Sequence, residues 1–368
     1  MELNELLRDM VKRKASDLHL RAGSRPTVRI NDELLPLEDY EKLTPDDVKT
    51  IASKVMTEEQ KNIYEKEHEL DIGHSVSDVG RFRLNIFQQR GTVDIVLRMI
   101  PFSVPKFGEL NLPDVLSKIA EQPRGLVLVT GTTGSGKSTT LAAMLDYINS
   151  NQKKHIITVE DPIEFLHKDK MSIISQRELG TDTKSFPTAL RYIMRQDPDV
   201  ILIGEMRDLE TMSTALTAAQ LGHLVLSTLH TIDAVSTVTR IIDLFPPHQQ
   251  NQIRLQLSDT LKAVISQRLL PLANEEGLIP AVEVMMVTPY IRKLIEENKL
   301  SEISKAVQQG DYYGMQSFNK SLVDLYQSGK VTIDDARENA TSPEEFMLNV
   351  KGIYAGDNTS MNFDENGK

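Results

Sequence analysis

Gly131-Thr132-Thr133-Gly134-Ser135-Gly136-Lys137-Ser138 decides how this chain is read. The stretch satisfies G-x-x-x-x-G-K-[ST] at every constrained position. Triphosphate oxygens need several backbone N–H groups pointing inward. That demands a tight, glycine-rich turn followed by a helix whose N-terminal dipole favours anions. Thr133, Gly134, Ser135 and Gly136 are therefore expected to line the phosphates. Lys137 is expected to reach the β- and γ-phosphates as a point charge, and the Ser138 hydroxyl to ligate Mg²⁺. An apolar strand over 125–130 should lead into the loop and a helix should open at Lys137. Guanine specificity would call for N-K-x-D, which the sequence does not contain; Asn319-Lys320, for instance, is followed by Ser321 and Leu322. The expected nucleotide is ATP.

Outward from the loop, short apolar runs alternate with helical patterns. Strands are predicted over 125–130, 155–159, 200–204 and 224–228, with helices over 138–150, 186–196 and 208–221, the last closed by Gly222. Alternating β and α units imply a mostly parallel sheet covered on both faces. Ligands of such sheets gather at the carboxyl ends of the strands. One acid there is Glu205, after the apolar strand 200–203. It fits a Walker B position, and because it is one methylene longer than the usual Asp, its contact with Mg²⁺ is expected through a water. Glu160-Asp161-Pro162-Ile163-Glu164 forms a second acidic group, which Pro162 turns into a loop. ATP hydrolysis needs a carboxylate to orient and deprotonate a water. Glu164 is the candidate, with Glu160 in reserve; spacing alone does not choose. His223 and His230 flank the strand 224–228, where a histidine could report the state of the γ-phosphate.

The first 98 residues mix helices and strands. Thr44-Pro45-Asp46-Asp47 starts a helix through 48–55, and Thr57-Glu58-Glu59-Gln60 repeats the capping pattern. In 80–88, Phe82, Leu84 and Ile86 alternate with Arg81, Arg83 and Asn85, the mark of a half-buried strand. Gly91 turns it back into a partner over 92–99. Pro101, Pro105 and Pro113 punctuate an expected linker over 99–117. The chain looks helical from 288 to about 350, and 356–368 reads as a disordered polar tail.

Composition bounds the remaining choices. With 368 residues, two domains are expected; hydrophobic residues at 40% support a sizeable core. Net charge is −11, with 42 basic against 53 acidic residues, which argues against a protein that coats nucleic acid. There is no cysteine, so disulfides, thiolate zinc and cysteine nucleophiles are excluded. No secretory signal stands at the N-terminus, and no apolar run is long enough to span a bilayer. Membrane association is expected only through a partner.

Four segments stand in a specific order: GTTGSGKST (131–139), TVEDPIEF (158–165), ILIGEMRD (201–208) and GHLVLSTLHT (222–231). They resemble the Walker A, Asp box, Walker B and His box of the secretion ATPase superfamily, which comprises motors of type II secretion, type IV pili and type IV secretion. Within it the chain most resembles the type IV pilus retraction ATPases. SDLHL (16–20) and GRFRLNIFQQRG (80–91) are similar to their PAS-like domain. Tyr290-Ile291-Arg292-Lys293-Leu294-Ile295 resembles their A-I-R motif, with Tyr290 in place of Ala. Gly314-Met315-Gln316-Ser317-Phe318-Asn319 resembles their G-M-Q-x-F segment.

The resemblance implies an α/β protein: a PAS-like α+β domain over 1–98, a RecA-like P-loop ATPase core over 118–288 and a helical part over 289–355. It implies a cytoplasmic homohexamer that meets the inner membrane through a platform protein, with the assembly ATPase or a paralogous retraction ATPase as further partners. Residue by residue, it carries nucleotide and Mg²⁺ binding to Lys137, Ser138 and Thr139, and the general base to Glu164. Walker B falls to Glu205, γ-phosphate sensing to His230, and charge stabilisation to Arg83 and Arg98. Arg191, Arg195, Arg207 and Arg240 are further arginine candidates. An assembly or secretion ATPase is the nearest rival; those usually carry an additional N-terminal domain and a tetracysteine zinc insertion, whereas this chain is expected to start at the PAS-like domain and has no cysteine. A DNA-translocating motor lacks support from an aromatic–basic stretch. A metabolic kinase would need neither the Asp nor the His box. A non-catalytic ATP-binding scaffold would not need both acids.

Overall fold

The computed structural model describes residues 2–30, 33–100, 104–274 and 276–353. Pro101 of the expected linker and the expected tail over 356–368 lie outside them. In chain order the strands are β1 (Asp17–Leu20), β2 (Thr27–Ile30), β3 (Glu33–Pro36), β4 (Glu69–Val76), β5 (Gly80–Gln89), β6 (Thr92–Ile100), β7 (Gly125–Thr130), β8 (His155–Glu160), β9 (Ile173–Glu178), β10 (Val200–Ile203), β11 (Leu224–Leu229), β12 (Leu261–Pro271) and β13 (Leu278–Met286). Two compact units divide the chain. One holds 1–105 and 145–205, the other 106–144 and 206–368.

In the first unit, strands β3-β2-β1-β6-β5-β4 form an antiparallel sheet. Its hairpin β5–β6 turns through Arg90 and Gly91, both at positive φ, which matches the natural strand twist. Along β5 the burial alternates as the sequence requires, with Phe82, Leu84 and Ile86 fully buried. They pack with Leu6, Leu7, Met10, Leu18, Ile95 and Leu97. Helices Pro45–Val55 and Glu58–Glu67 begin at capping boxes on Thr44 and Thr57, each satisfying otherwise orphaned N–H groups. The same unit contains the parallel strands β10, β8 and β9, with Ile203 opposite Val159 and Glu160 opposite Glu178.

In the second unit, β12 and β11 flank β7 in parallel and β13 pairs antiparallel with β12. All six residues of β7 and all six of β11 are buried, as strands covered on both faces must be. Helix Leu209–Gln220 falls within one residue of its predicted limits, as does Lys137–Asn151; in the first unit, Phe186–Ile193 stops three residues early. Further on, helices Pro289–Glu296, Phe318–Gln327 and Pro343–Val350 follow the strands. Phe318, Leu322 and Phe346 pack on Leu270 and Ile279 of the β12–β13 pair. No helix among the described residues is long and apolar enough to cross a membrane.

Phe82 is the largest fully buried side chain of the first unit's sheet. Phe82→Ala is expected to cost about 3–5 kcal/mol, through lost transfer energy and the cavity left behind. Urea unfolding of parent and variant measures it.

Candidate functional site

The predicted residues are shared between the two units, the phosphate loop and His230 in the second, Arg83, Arg98, Glu164 and Glu205 in the first. In the second unit the phosphate loop leaves β7. Gly131 has φ +146, and a Cβ there would lie 2.4 Å from Ser135 Oγ and 2.5 Å from the Gln267 carbonyl oxygen. Only glycine fits. Gly134 and Gly136, at φ +79 and +88, complete the turn, and nothing approaches the space a Gly134 side chain would fill. Lys137 is 8% exposed, an environment in which an ammonium must be partnered. Its Nζ donates to the carbonyls of Gly131 (3.0 Å) and Thr132 (2.8 Å), at the start of the loop. Ser135 Oγ is buried without a hydrogen-bond partner. Thr133 and Gly134 are exposed, and Ser138 and Thr139 are half-buried in the first helical turn. Glycine backbone, a buried cation, an orphaned hydroxyl and a helix start all suit a polyphosphate.

The loop rests on a polar floor that the sequence analysis did not foresee. Thr130 Oγ1 donates to Ser266 Oγ at 2.8 Å and Gln267 Nε2 to Thr140 Oγ1 at 2.8 Å, all four residues being buried. On the other side, Leu229 of β11 lies opposite Thr130. His230 therefore emerges next to Gly131, exposed, at the carboxyl end of β11. His223 sits at the opposite end of that strand, half-buried. Beyond His230, Asp233 caps the helix Ala234–Asp243, and Glu283 Oε1 accepts the Ala234 N–H at 2.9 Å. Burial pushes the Glu283 carboxyl up to about 7, with Asp233 adding to the effect.

In the first unit the acids gather where β10 and β8 end. Gly204 follows Ile203 and donates its N–H to the Val159 carbonyl at 2.8 Å. Glu205 is half-buried just beyond it, next to the start of the acidic loop. The two loop carboxylates differ in kind. Glu160 accepts from Thr158 Oγ1 (2.6 Å) and Gln176 Nε2 (3.2 Å), and burial pushes its pKa up. Glu164 is exposed, and its N–H points to Glu160 Oε2 at 3.4 Å. A carboxylate in open solvent can receive a water; one engaged inside the fold is held for other work. The two acids that spacing left level thus differ in burial.

Arg83 and Arg98 are cross-strand partners on β5 and β6. Arg83 Nε donates to Asp71 Oδ1 at 3.0 Å. That pairing raises its pKa, with Glu164 and Asp161 contributing at longer range. The structure thus brings Arg83 into the field of the acidic loop. Arg98 Nε donates instead to Asp17 Oδ1 at 2.8 Å, and its side chain is 72% exposed. Arg191, Arg195, Arg207 and Arg240 are exposed. Sequence reasoning missed Glu178 and Arg81, whose charges meet inside this unit at 2.7 Å. In the A-I-R-like segment, Ile291, Leu294 and Ile295 are buried, Tyr290 is exposed, and Arg292 lies 3.4 Å from Asp259.

Four similarities bear on this arrangement. The family model described as Type II/IV secretion system protein matches residues 1–336. The chain is 44% identical over 351 residues to the "Type IV pilus retractation ATPase PilT" of Pseudomonas aeruginosa, covering 94% of this chain and 100% of that protein. It is 45% identical over 323 residues to a "Twitching motility protein" of Neisseria gonorrhoeae, covering 88% and 86%. A solved structure of the pilus retraction motor PilT with bound ADP matches with a TM-score of 0.86 at 47% identity, over 94% of this chain and 98% of that one.

Glu283 gives a pH signature. Its folded value lies above its ordinary 4.5, so its contribution to stability is full below that pH and is lost as pH rises through about 7. Glu283→Gln stays neutral throughout. The variant is expected to be more stable than the parent at pH 8, by up to about 3 kcal/mol, with the gap closing by about pH 5. Urea midpoints across that range check it.

Proposed function

The chain belongs to the family of Type II/IV secretion system proteins, and from that premise we propose that it is a hexameric ATPase motor powering type IV pilus retraction. The observation that carries this reading is the joint presence of a complete phosphate cradle and an exposed loop carboxylate, in a chain similar over nearly its whole length to a pilus retraction ATPase. The match to an ADP-bound PilT structure supports nucleotide binding, and the match to a twitching motility protein supports the retraction setting.

The loop amides from Thr133 to Ser138, the Lys137 ammonium and the Thr139 side hold the triphosphate. The Ser138 hydroxyl and, through a water, Glu205 would hold Mg²⁺, which would supply positive charge to the phosphates. Glu164 takes the proton of the water whose oxygen attacks the γ-phosphorus. The bond from that phosphorus to the β,γ-bridging oxygen breaks, leaving ADP and inorganic phosphate. Arg83 and Arg98 supply positive charge to the transition state, and His230 senses the γ-phosphate from the neighbouring strand end. Turnover alters how the subunits of the ring sit together and so turns an inner-membrane platform protein, releasing pilins from the filament base. In this reading the motor is cytoplasmic and peripheral at the inner membrane. The assembly ATPase and a paralogous retraction ATPase are its other partners.

ATPase activity measured alongside mass by light scattering tests the proposal. The parent is expected as a particle near six times 41.4 kDa that hydrolyses ATP. Glu205→Ala should abolish hydrolysis, and Glu164→Gln should bind ATP while turning over roughly 10²-fold more slowly. A monomer inactive even with the platform protein present would contradict the motor. Near-parent turnover in Glu164→Gln would remove that residue from the reaction.

A further inference from the structure

Glu178 ends β9, is 2% exposed, and belongs to none of the four motif segments. Three ties converge on its carboxylate. Oε2 accepts the Ile163 N–H at 3.0 Å and faces Arg81 Nη2 at 2.7 Å; Oε1 accepts the Gly73 N–H at 3.1 Å. Its own backbone is pinned as well. Its N–H donates to Asp182 Oδ2 at 2.8 Å, and its carbonyl accepts from Asp182 at 2.8 Å. Arg81 is fixed from the far side, donating from Nη1 to Ser75 Oγ at 2.9 Å.

A buried carboxylate held by one cation and two N–H groups cannot turn without stranding charge in a poorly solvated place. What it holds is specific. Ile163 immediately precedes Glu164, and Arg81 stands two positions before Arg83 on the same face of β5. Gly73 lets the groups close up: a Cβ there would lie 2.3 Å from Glu178 Oε1 and 2.4 Å from Arg81 Nη2. Its φ is not in the left-handed region, so this glycine is required by space rather than by conformation. We propose that Glu178 is a positioning residue for hydrolysis, tying the acidic loop at Ile163 to β4 and β5 at Gly73 and Arg81 so that Glu164 and Arg83 are held in fixed relation.

The inference rests on Glu164 being the base. It treats the buried pair as more than a structural clamp: disturbing it displaces a reacting group while leaving the phosphate cradle of 131–139 untouched. An error of about 1 Å in such a group is worth up to about 10²-fold in rate.

The test uses the full-length chain, with steady-state ATPase, binding of a non-hydrolysable ATP analogue, and thermal unfolding on the same preparations. Glu178→Gln keeps the shape, but its amide cannot accept from Arg81 and both backbone N–H groups together. It is expected to lower kcat roughly tenfold or more, with analogue affinity within about twofold of the parent. Gly73→Ala wedges the pair apart from the β4 side without changing any charge, and should show the same split. Added to Glu164→Gln, Glu178→Gln should slow turnover clearly less than it slows the parent, because one of the two groups it positions is already disabled. Folded Glu178→Gln and Gly73→Ala enzymes with parent-like kcat, beside a slow Glu164→Gln, would overturn this inference alone. So would a full additional loss in the double variant. Near-parent turnover in Glu164→Gln would overturn the assignment of the base and this inference with it. If Glu178→Gln does not fold, Gly73→Ala decides by the same criteria.

Discussion

A buried ammonium sets the terms for the second unit. Lys137 is almost wholly enclosed, so something must face its charge, and the carbonyls that begin the loop do so. For them to face inward the chain must turn tightly after β7. That requires glycine at 131, where Ser135 and the Gln267 carbonyl already fill the space of a side chain. The turn in turn demands a rigid base, which the parallel neighbours of β7 supply: Ser266 under Thr130 on one side, Leu229 on the other. His230 stands beside the loop for the same reason. It is the next residue after a strand paired in register with the one that feeds the loop.

The first unit solves a different electrostatic problem, that of keeping several carboxylates close together in distinct states. Glu160 is turned inward and hydrogen-bonded, Glu178 is buried against Arg81, and Glu164 is left to solvent. Parallel pairing of β10, β8 and β9 brings their carboxyl ends to one edge, and with them the acids. Asp71 orders the Arg83 guanidinium nearby. Hydrolysis by a P-loop protein is mostly positioning and charge compensation, so fixed geometry among such groups matters more than any unusual nucleophile.

Much of this was legible from local pattern. The loop follows a motif whose every residue type has a physical reason, and strands β7, β8, β10 and β11 are short, mainly apolar runs between breakers. The alternation in β5 is complete enough to assign its faces. Strands β9, β12 and β13 escaped notice because their patterns are mixed. β9 reads IISQRE and is partly exposed, β12 carries Ser266 and Gln267 in its buried stretch, and β13 contains Pro280 and Glu283. The polar residues Ser266, Gln267 and Glu283 of β12 and β13 make sense only once the hydrogen bonds to Thr130, Thr140 and Ala234 are seen. The tie between Gly73 and Glu178 spans 105 positions, a separation that no window of sequence reveals. The difference in burial between Glu160 and Glu164 likewise lies outside what spacing shows.

Imaging labelled pili in cells of the protein's own source, with Lys137→Ala at the native locus, tests the central claim most directly. The account predicts pili that still extend but no longer retract, in cells that carry the variant at parental levels. Retraction at parental frequency would contradict it, and so would loss of pilus extension itself, which would make the chain an assembly motor.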